Sequence, residues 1–286
     1  MRQALSWTLK AGAVWIALLA GTVAAGFAIA VPAAPGGDGP LSAGQAFLAV
    51  NLLSALVLAA LAPRLRGTAA QRCLTMFALL YGAGTLLAHV EAWFFGSVLA
   101  IPEGLLESIA LTDALRCAAG ASAAAALWPA APGGASTPSG LAWKLPAVAL
   151  LYILVYFTAG FVIAWQSEAV RGFYGDGFAF DLGSLVLLQF ARGAAWAALA
   201  LLAVRAMSGP LFARGAALGA AFSVFMAAPL LYPTALMPWA VRQVHLIELG
   251  VSNFLFGLAA ALILLAAGRL RTEGRGNPVA ASGSLS

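Results

Sequence analysis

The chain has 286 residues, of which 63% are hydrophobic and only 9% charged, against roughly 45–50% apolar and about 25% charged in an ordinary soluble domain. Such an apolar surplus excludes a soluble globule, and the net charge of +5 fits membrane topology and attraction to anionic lipid rather than nucleic acid as a partner. The apolar runs are long, continuous and rich in Ala and Leu. That excludes a transmembrane barrel of roughly 10-residue alternating segments and predicts an all-α polytopic membrane bundle.

A bilayer core about 30 Å thick takes about 20 apolar residues per helix. Eight stretches qualify: 11–31, 44–62, 73–98, 104–128, 146–165, 182–204, 212–236 and 238–268. Span one follows Arg2 and Lys10, so a cleaved signal peptide over Met1 to Ala34 is the alternative. The run from Ala11 to Val31 is longer than the 7–15 residues of a signal core and has a counterpart later in the chain. Span two contains Asn51. Span three contains His89 and Glu91, and span four contains Glu107, Asp113 and Arg116. Cys73 and Cys117, near the start of span three and inside span four, read as small apolar residues, with no spacing for a thiol metal site.

The Pro/Gly/Ser-rich stretch Pro129 to Gly140 is a linker by composition. It divides a first four-helix repeat (1–128) from a second (146–268), with the linker assigned to 129–145 and a disordered tail to 269–286. Span six contains Gln189 and Arg192. Span seven has the GxxxG pair Gly215 and Gly219, suited to close helix packing, and Pro229 and Pro233, which should kink it or end it early. Span eight contains Arg242, His245, Glu248 and Asn253, which with Ser252 fall within an arc of about 140° at 100° per residue.

The halves resemble one another at an offset of about 134 to 138 residues, the self-similarity expected of a repeat. Ala25-Gly26-Phe27 in span one matches Ala159-Gly160-Phe161 in span five. Asn51 and Ala59-Ala60-Leu61 match Gln189 and Ala197-Ala198-Leu199, while Pro102 and Gly120 match Pro238 and Gly257. Chance similarity between Ala-rich helices is the alternative. Four spans per half give both halves one orientation, related by an axis along the membrane normal.

Short loops retain Lys and Arg on the cytoplasmic side. With both termini inside, that side collects Arg2, Lys10, Arg64, Arg66, Arg72, Lys144, Arg205, Arg214, Arg269, Arg271 and Arg275, eleven of the fifteen basic residues. Arg171 alone among them lies in an outer loop, beside Asp38, Glu103, Glu168, Asp176 and Asp181. Trp7, Trp93, Trp128, Trp143, Trp165 and Trp239 fall near span ends, where amphipathic rings are at home. The excess of Arg over Lys and the abundance of Ala associate the sequence with a high-GC bacterium, and so with a plasma membrane.

An ionisable group at a helix centre costs roughly 2.5–3.5 kcal/mol on insertion scales, so it needs a partner or a wet cavity. Asn51, His89, Glu91, Glu107, Asp113, Arg116, Gln189, Arg192, Arg242, His245, Glu248 and Asn253 all fall in the predicted outer half or near the midplane. They predict a ligand-binding or proton-relay pocket open to the outside and lined by spans two, three, four, six and eight. Structural pairs holding helices together are the alternative. The aromatic and Gly-rich Phe173 to Phe178 would act as a lid or rest at the interface.

These features point first to a transporter or permease for a small molecule or ion, with the lipid bilayer as the protein's surroundings. A second reading is an intramembrane enzyme, with His89, Glu91, His245 and Glu248 holding zinc or iron, or the two histidines a haem. A third is a non-catalytic component that binds a lipid or a partner protein. No nucleophile elbow, phosphate loop, nucleotide fingerprint or CxxC occurs, no pattern names a cofactor, and none sets an oligomeric state.

Overall fold

The structure, a computed structural model, describes residues 2–32, 36–133, 136–175 and 182–266. The expected disordered tail and the Asp176 to Phe178 part of the proposed lid lie outside the described residues. Among these residues eleven α-helices follow one another: α1 (Arg2–Ala28), α2 (Ala43–Leu61), α3 (Ala69–Tyr81), α4 (Leu87–Phe94), α5 (Gly96–Leu99), α6 (Leu105–Leu127), α7 (Leu141–Val162), α8 (Glu168–Tyr174), α9 (Leu182–Ala206), α10 (Leu211–Ala227) and α11 (Trp239–Leu265). Among the described residues β pairing is limited to one isolated bridge, between Leu65 and Met207.

Among the described residues, seven helices are long and apolar enough to cross a membrane: Ala4–Ala28, Ala43–Arg64, Ala69–Phe94, Leu141–Gln166, Gly183–Ala206, Leu211–Leu231 and Trp239–Leu265. The eighth expected span is α6, whose 23 residues reach roughly 34 Å at 1.5 Å per residue. Glu107, Asp113 and Arg116 dilute its hydropathy, and it stands outside the seven.

Capping chemistry places several helix ends. Ser42 accepts from the Gln45 amide while the Gln45 side chain accepts from the Ser42 amide, and Thr68 and Gln71 repeat the arrangement before α3, so each box satisfies two amides that the first helical turn would leave open. At the other ends, exposed carbonyls are met by basic side chains from neighbouring helices. Arg72 donates to the carbonyls of Trp128 at 2.6 Å and Ala125 at 2.8 Å. Lys144 donates to those of Leu264 at 3.0 Å and Ala266 at 2.7 Å, and the Lys10 ammonium lies 5.4 Å from the Trp128 ring centre.

The packing follows one pattern in each half of the chain. In the first, α1 packs on α2 and on α6, and α3 packs on α6; in the second, α7 packs on α9 and on α11, and α10 packs on α11. Between halves, α2 meets α10 and α3 meets α9. The α10–α11 seam uses the expected pair, since a Cβ on Gly215 would lie 2.7 Å from Leu258 Cδ1 and one on Gly219 2.5 Å from the Phe254 carbonyl oxygen, and it uses Gly257 of α11 as well, where a Cβ would lie 2.7 Å from Gly219 Cα. Pro229 sits in the 3₁₀ turn Ala228–Leu231 that follows α10, so the helix tightens and ends there. Between α3 and α4 a π turn, Gly82–Leu86, interrupts the regular ladder. Such insertions re-aim the residues that follow: Thr85 bonds to α6, while Glu91 bonds to α9.

Candidate functional site

Between α4, α7, α9, α10 and α11 lies a cavity of about 20 Å³, enough for one water-sized guest. Its wall is lined by Glu91 of α4, Tyr152 and Tyr156 of α7, Arg192 of α9, and Glu248, Ser252 and Asn253 of α11, with Val155, Ala159, Met226, Leu249 and Phe256 between them. Arg192 is ten positions into α9 and Glu248 nine into α11, roughly 14–15 Å along each helix axis. That is between a third and a half of the way along each helix.

The cavity's charges are paired by different helices. Arg192 Nη2 donates to Glu91 Oε2 at 2.7 Å, and Arg192 Nη1 to Gln189 Oε1 at 3.0 Å. The guanidinium, its side chain only 2% exposed, also lies 5.7 Å and 5.9 Å from the ring centres of Tyr152 and Tyr156. Cation–π attraction and a charge-assisted bond to carboxylate together offset the cost of desolvating it. Below the cavity Trp196, Phe222 and Phe256 close the core, with Trp196 and Phe222 rings 4.6 Å apart.

On α11, His245 Nδ1 is 2.6 Å from Glu248 Oε2. The other ring nitrogen is 3.3 Å from the hydroxyl of Tyr174 in α8. Tyr174, His245 and Glu248 thus form a chain of contacts from an outlying helix to the cavity wall. Burial, and then the carboxylates of Glu91 and Glu248, push the Tyr174 phenol above its ordinary range. Its ring is held by Trp165 at 6.2 Å and Phe95 at 6.3 Å.

Other residues expected in one pocket are placed elsewhere. Asp113 and Arg116 pair at 2.6 Å one turn apart on α6, and Thr85 donates to the second oxygen of Asp113 at 2.7 Å. His89 Nδ1 lies 2.7 Å from the Thr85 carbonyl, so the π turn, α4 and α6 carry a second polar cluster. Arg116 Nη1 and His89 Nε2 are buried there without a protein partner. Asn51, fully buried in α2, bonds to the Phe47 carbonyl one turn back at 2.9 Å, and Asn253 likewise bonds to Leu249 at 3.0 Å. Glu107 is exposed in the first turn of α6, where a negative charge suits the helix dipole.

Arg242 holds the end of the bundle rather than the cavity. Its guanidinium donates to the carbonyls of Met237, Leu230, Tyr232 and Asp38 and meets Asp38 Oδ1 at 3.4 Å. Span five, assigned no polar role above, contributes Tyr152 and Tyr156, while spans two and four contribute nothing to the wall. The available signal was two hydroxyl-bearing rings four apart, on one face of a largely apolar helix. Among the described residues no three His, Cys, Asp or Glu side chains converge, so the two-imidazole, two-carboxylate metal set is not assembled. No family model matches the chain, and neither does any curated protein or solved structure compared with it.

Proposed function

We propose that the chain is an eight-span transporter or permease of the plasma membrane, with both termini cytoplasmic, moving a small molecule or ion through the Arg192 cavity with proton coupling. The observation that carries this reading is the meeting of Glu91, Arg192 and Glu248 around one cavity inside the bundle. Intramembrane charges facing a cavity are characteristic of substrate and proton paths, and the Tyr174–His245–Glu248 chain offers a route between that cavity and one end of the bundle.

Three features support counting α6 as a span and the halves as parallel four-helix repeats. Helix α6 packs along α1 and α3 as α11 packs along α7 and α10. The Asp113 and Arg116 charges neutralise one another. The bridge at Leu65 and Met207 is reciprocal: the Arg66 amide donates to the Ala206 carbonyl at 2.9 Å, and the Ser208 amide to the Arg64 carbonyl at 2.7 Å. Contacts exchanged in this way are what a two-fold axis produces. The gathering of Lys10, Arg64, Arg66, Arg72, Lys144, Arg205 and Arg214 at the helix ends around this bridge supports a cytoplasmic assignment for that end.

The experiment is solute-evoked current from proteoliposomes on a solid-supported membrane, challenged with panels of amino acids, organic acids, sugars and inorganic cations under an imposed pH gradient. At least one class is expected to evoke current in the native protein and none in Arg192→Gln or Glu248→Gln. Saturable binding without current would favour a binding component instead.

A further inference from the structure

The opposite end of the bundle holds an electrostatic arrangement that the cavity does not use. Ser136, in the segment joining the halves, accepts two hydrogen bonds at its hydroxyl oxygen, from Arg66 Nη1 at 3.1 Å and from Arg214 Nη2 at 3.0 Å. Its amide donates to the Arg205 carbonyl at 3.0 Å, fixing the hydroxyl between the two guanidiniums. Arg66 Nε reaches the Pro132 carbonyl at 3.3 Å, and Arg214 also donates to the Val204 carbonyl. Arg214 is 8% exposed and its Nε is buried without a partner among the described residues.

Two guanidiniums therefore converge on a single neutral oxygen, and among the described residues no carboxylate pairs with either. Buried or half-buried charge of one sign normally recruits its opposite. The acidic residues Asp38, Glu91, Asp113 and Glu248 are committed elsewhere. The planar fork of Arg matches the oxygens of a phosphoryl group.

We propose that Arg66 and Arg214 form a binding site for a phosphate-bearing anion, with Ser136 as a third polar contact and Arg205 nearby. Arg66 lies in the loop just after Leu65 and Arg214 in the first turn of α10, a few residues beyond Met207, so an occupant ties the two halves of the chain together where they meet. The phosphoryl group is that of an anionic lipid headgroup or of a soluble phosphate.

The full-length protein in phosphatidylcholine nanodiscs, in phosphate-free buffer, is titrated with inorganic phosphate and, as an ionic-strength control, with chloride. Intrinsic tryptophan fluorescence reports the unfolding midpoint. A second series replaces part of the phosphatidylcholine with phosphatidylglycerol. The midpoint is expected to rise with phosphate beyond the chloride control, identifying a soluble occupant, or with phosphatidylglycerol, identifying a headgroup.

Arg66→Gln removes a charge-assisted contact at a loop position and is expected to weaken the response about tenfold. Ser136→Asp puts a carboxylate between the guanidiniums and is expected to raise the midpoint without added anion and to abolish the response. A rise no greater than with chloride in both series, or one that Arg66→Gln leaves intact, overturns the site.

Discussion

Arg192 of α9 and Glu91 of α4 join the two halves of the chain at 2.7 Å beside the cavity, with the guanidinium almost wholly removed from solvent. A cation held this deep requires its carboxylate. Replacing one partner and replacing both should therefore differ. Glu91→Gln is expected to cost about 3 kcal/mol, the lower end of the range for breaking a buried pair because Glu91 is one-fifth exposed. Glu91→Gln with Arg192→Gln is expected to cost less than Glu91→Gln alone. Chemical unfolding in mixed micelles measures both.

Tyr174 touches His245, and burial raises its phenol above the ordinary range. A phenol raised in the folded state contributes stability fully below its unfolded value of about 10 and loses it as pH climbs through the folded value. Proteolytic release of the α8 segment is accordingly expected to be flat below about pH 10 and to increase above it. Tyr174→Phe should remove that rise, lower stability by about 1 kcal/mol and slow any proton-coupled flux without unfolding the bundle.

Gly219 lies so close to α11 that an added methyl must displace backbone. Gly219→Ala is expected to destabilise by about 1–3 kcal/mol as an overpacked core position. Gly12→Ala, where nothing lies within 4 Å, should be neutral or slightly stabilising by helix propensity. Thermal unfolding of the two variants side by side tests the seam.

Arg72 caps the end of α6 through two carbonyls. Arg72→Met is expected to cost about 1–3 kcal/mol, since it leaves buried acceptors unmet, and Arg72→Lys should recover only part of it. Unfolding midpoints of the three proteins give the ranking.

Long helices, the short polar turns between them and the crowding of basic residues at one end were legible in the sequence, because lipid imposes length and charge rules on each segment separately. The grouping of polar side chains was legible only in part. Glu91, Gln189, Arg192, His245, Glu248 and Asn253 gather at or beside the cavity. Asp113 satisfies itself with Arg116 and Thr85, and Arg242 binds loop carbonyls. Depth along a helix can be counted from sequence, but the direction a side chain faces depends on helix rotation and on interruptions such as the π turn at Gly82–Leu86. Tyr152 and Tyr156 escaped notice because a tyrosine within a span carries no charge to flag it.

The most direct test of the transport reading is the current recorded from proteoliposomes bearing the native protein, Arg192→Gln and Glu248→Gln under identical pH gradients and solute panels. The account expects a solute-evoked, pH-dependent current from the native protein that both substitutions abolish while each variant remains folded. A current that is undiminished in folded Arg192→Gln and Glu248→Gln would contradict it.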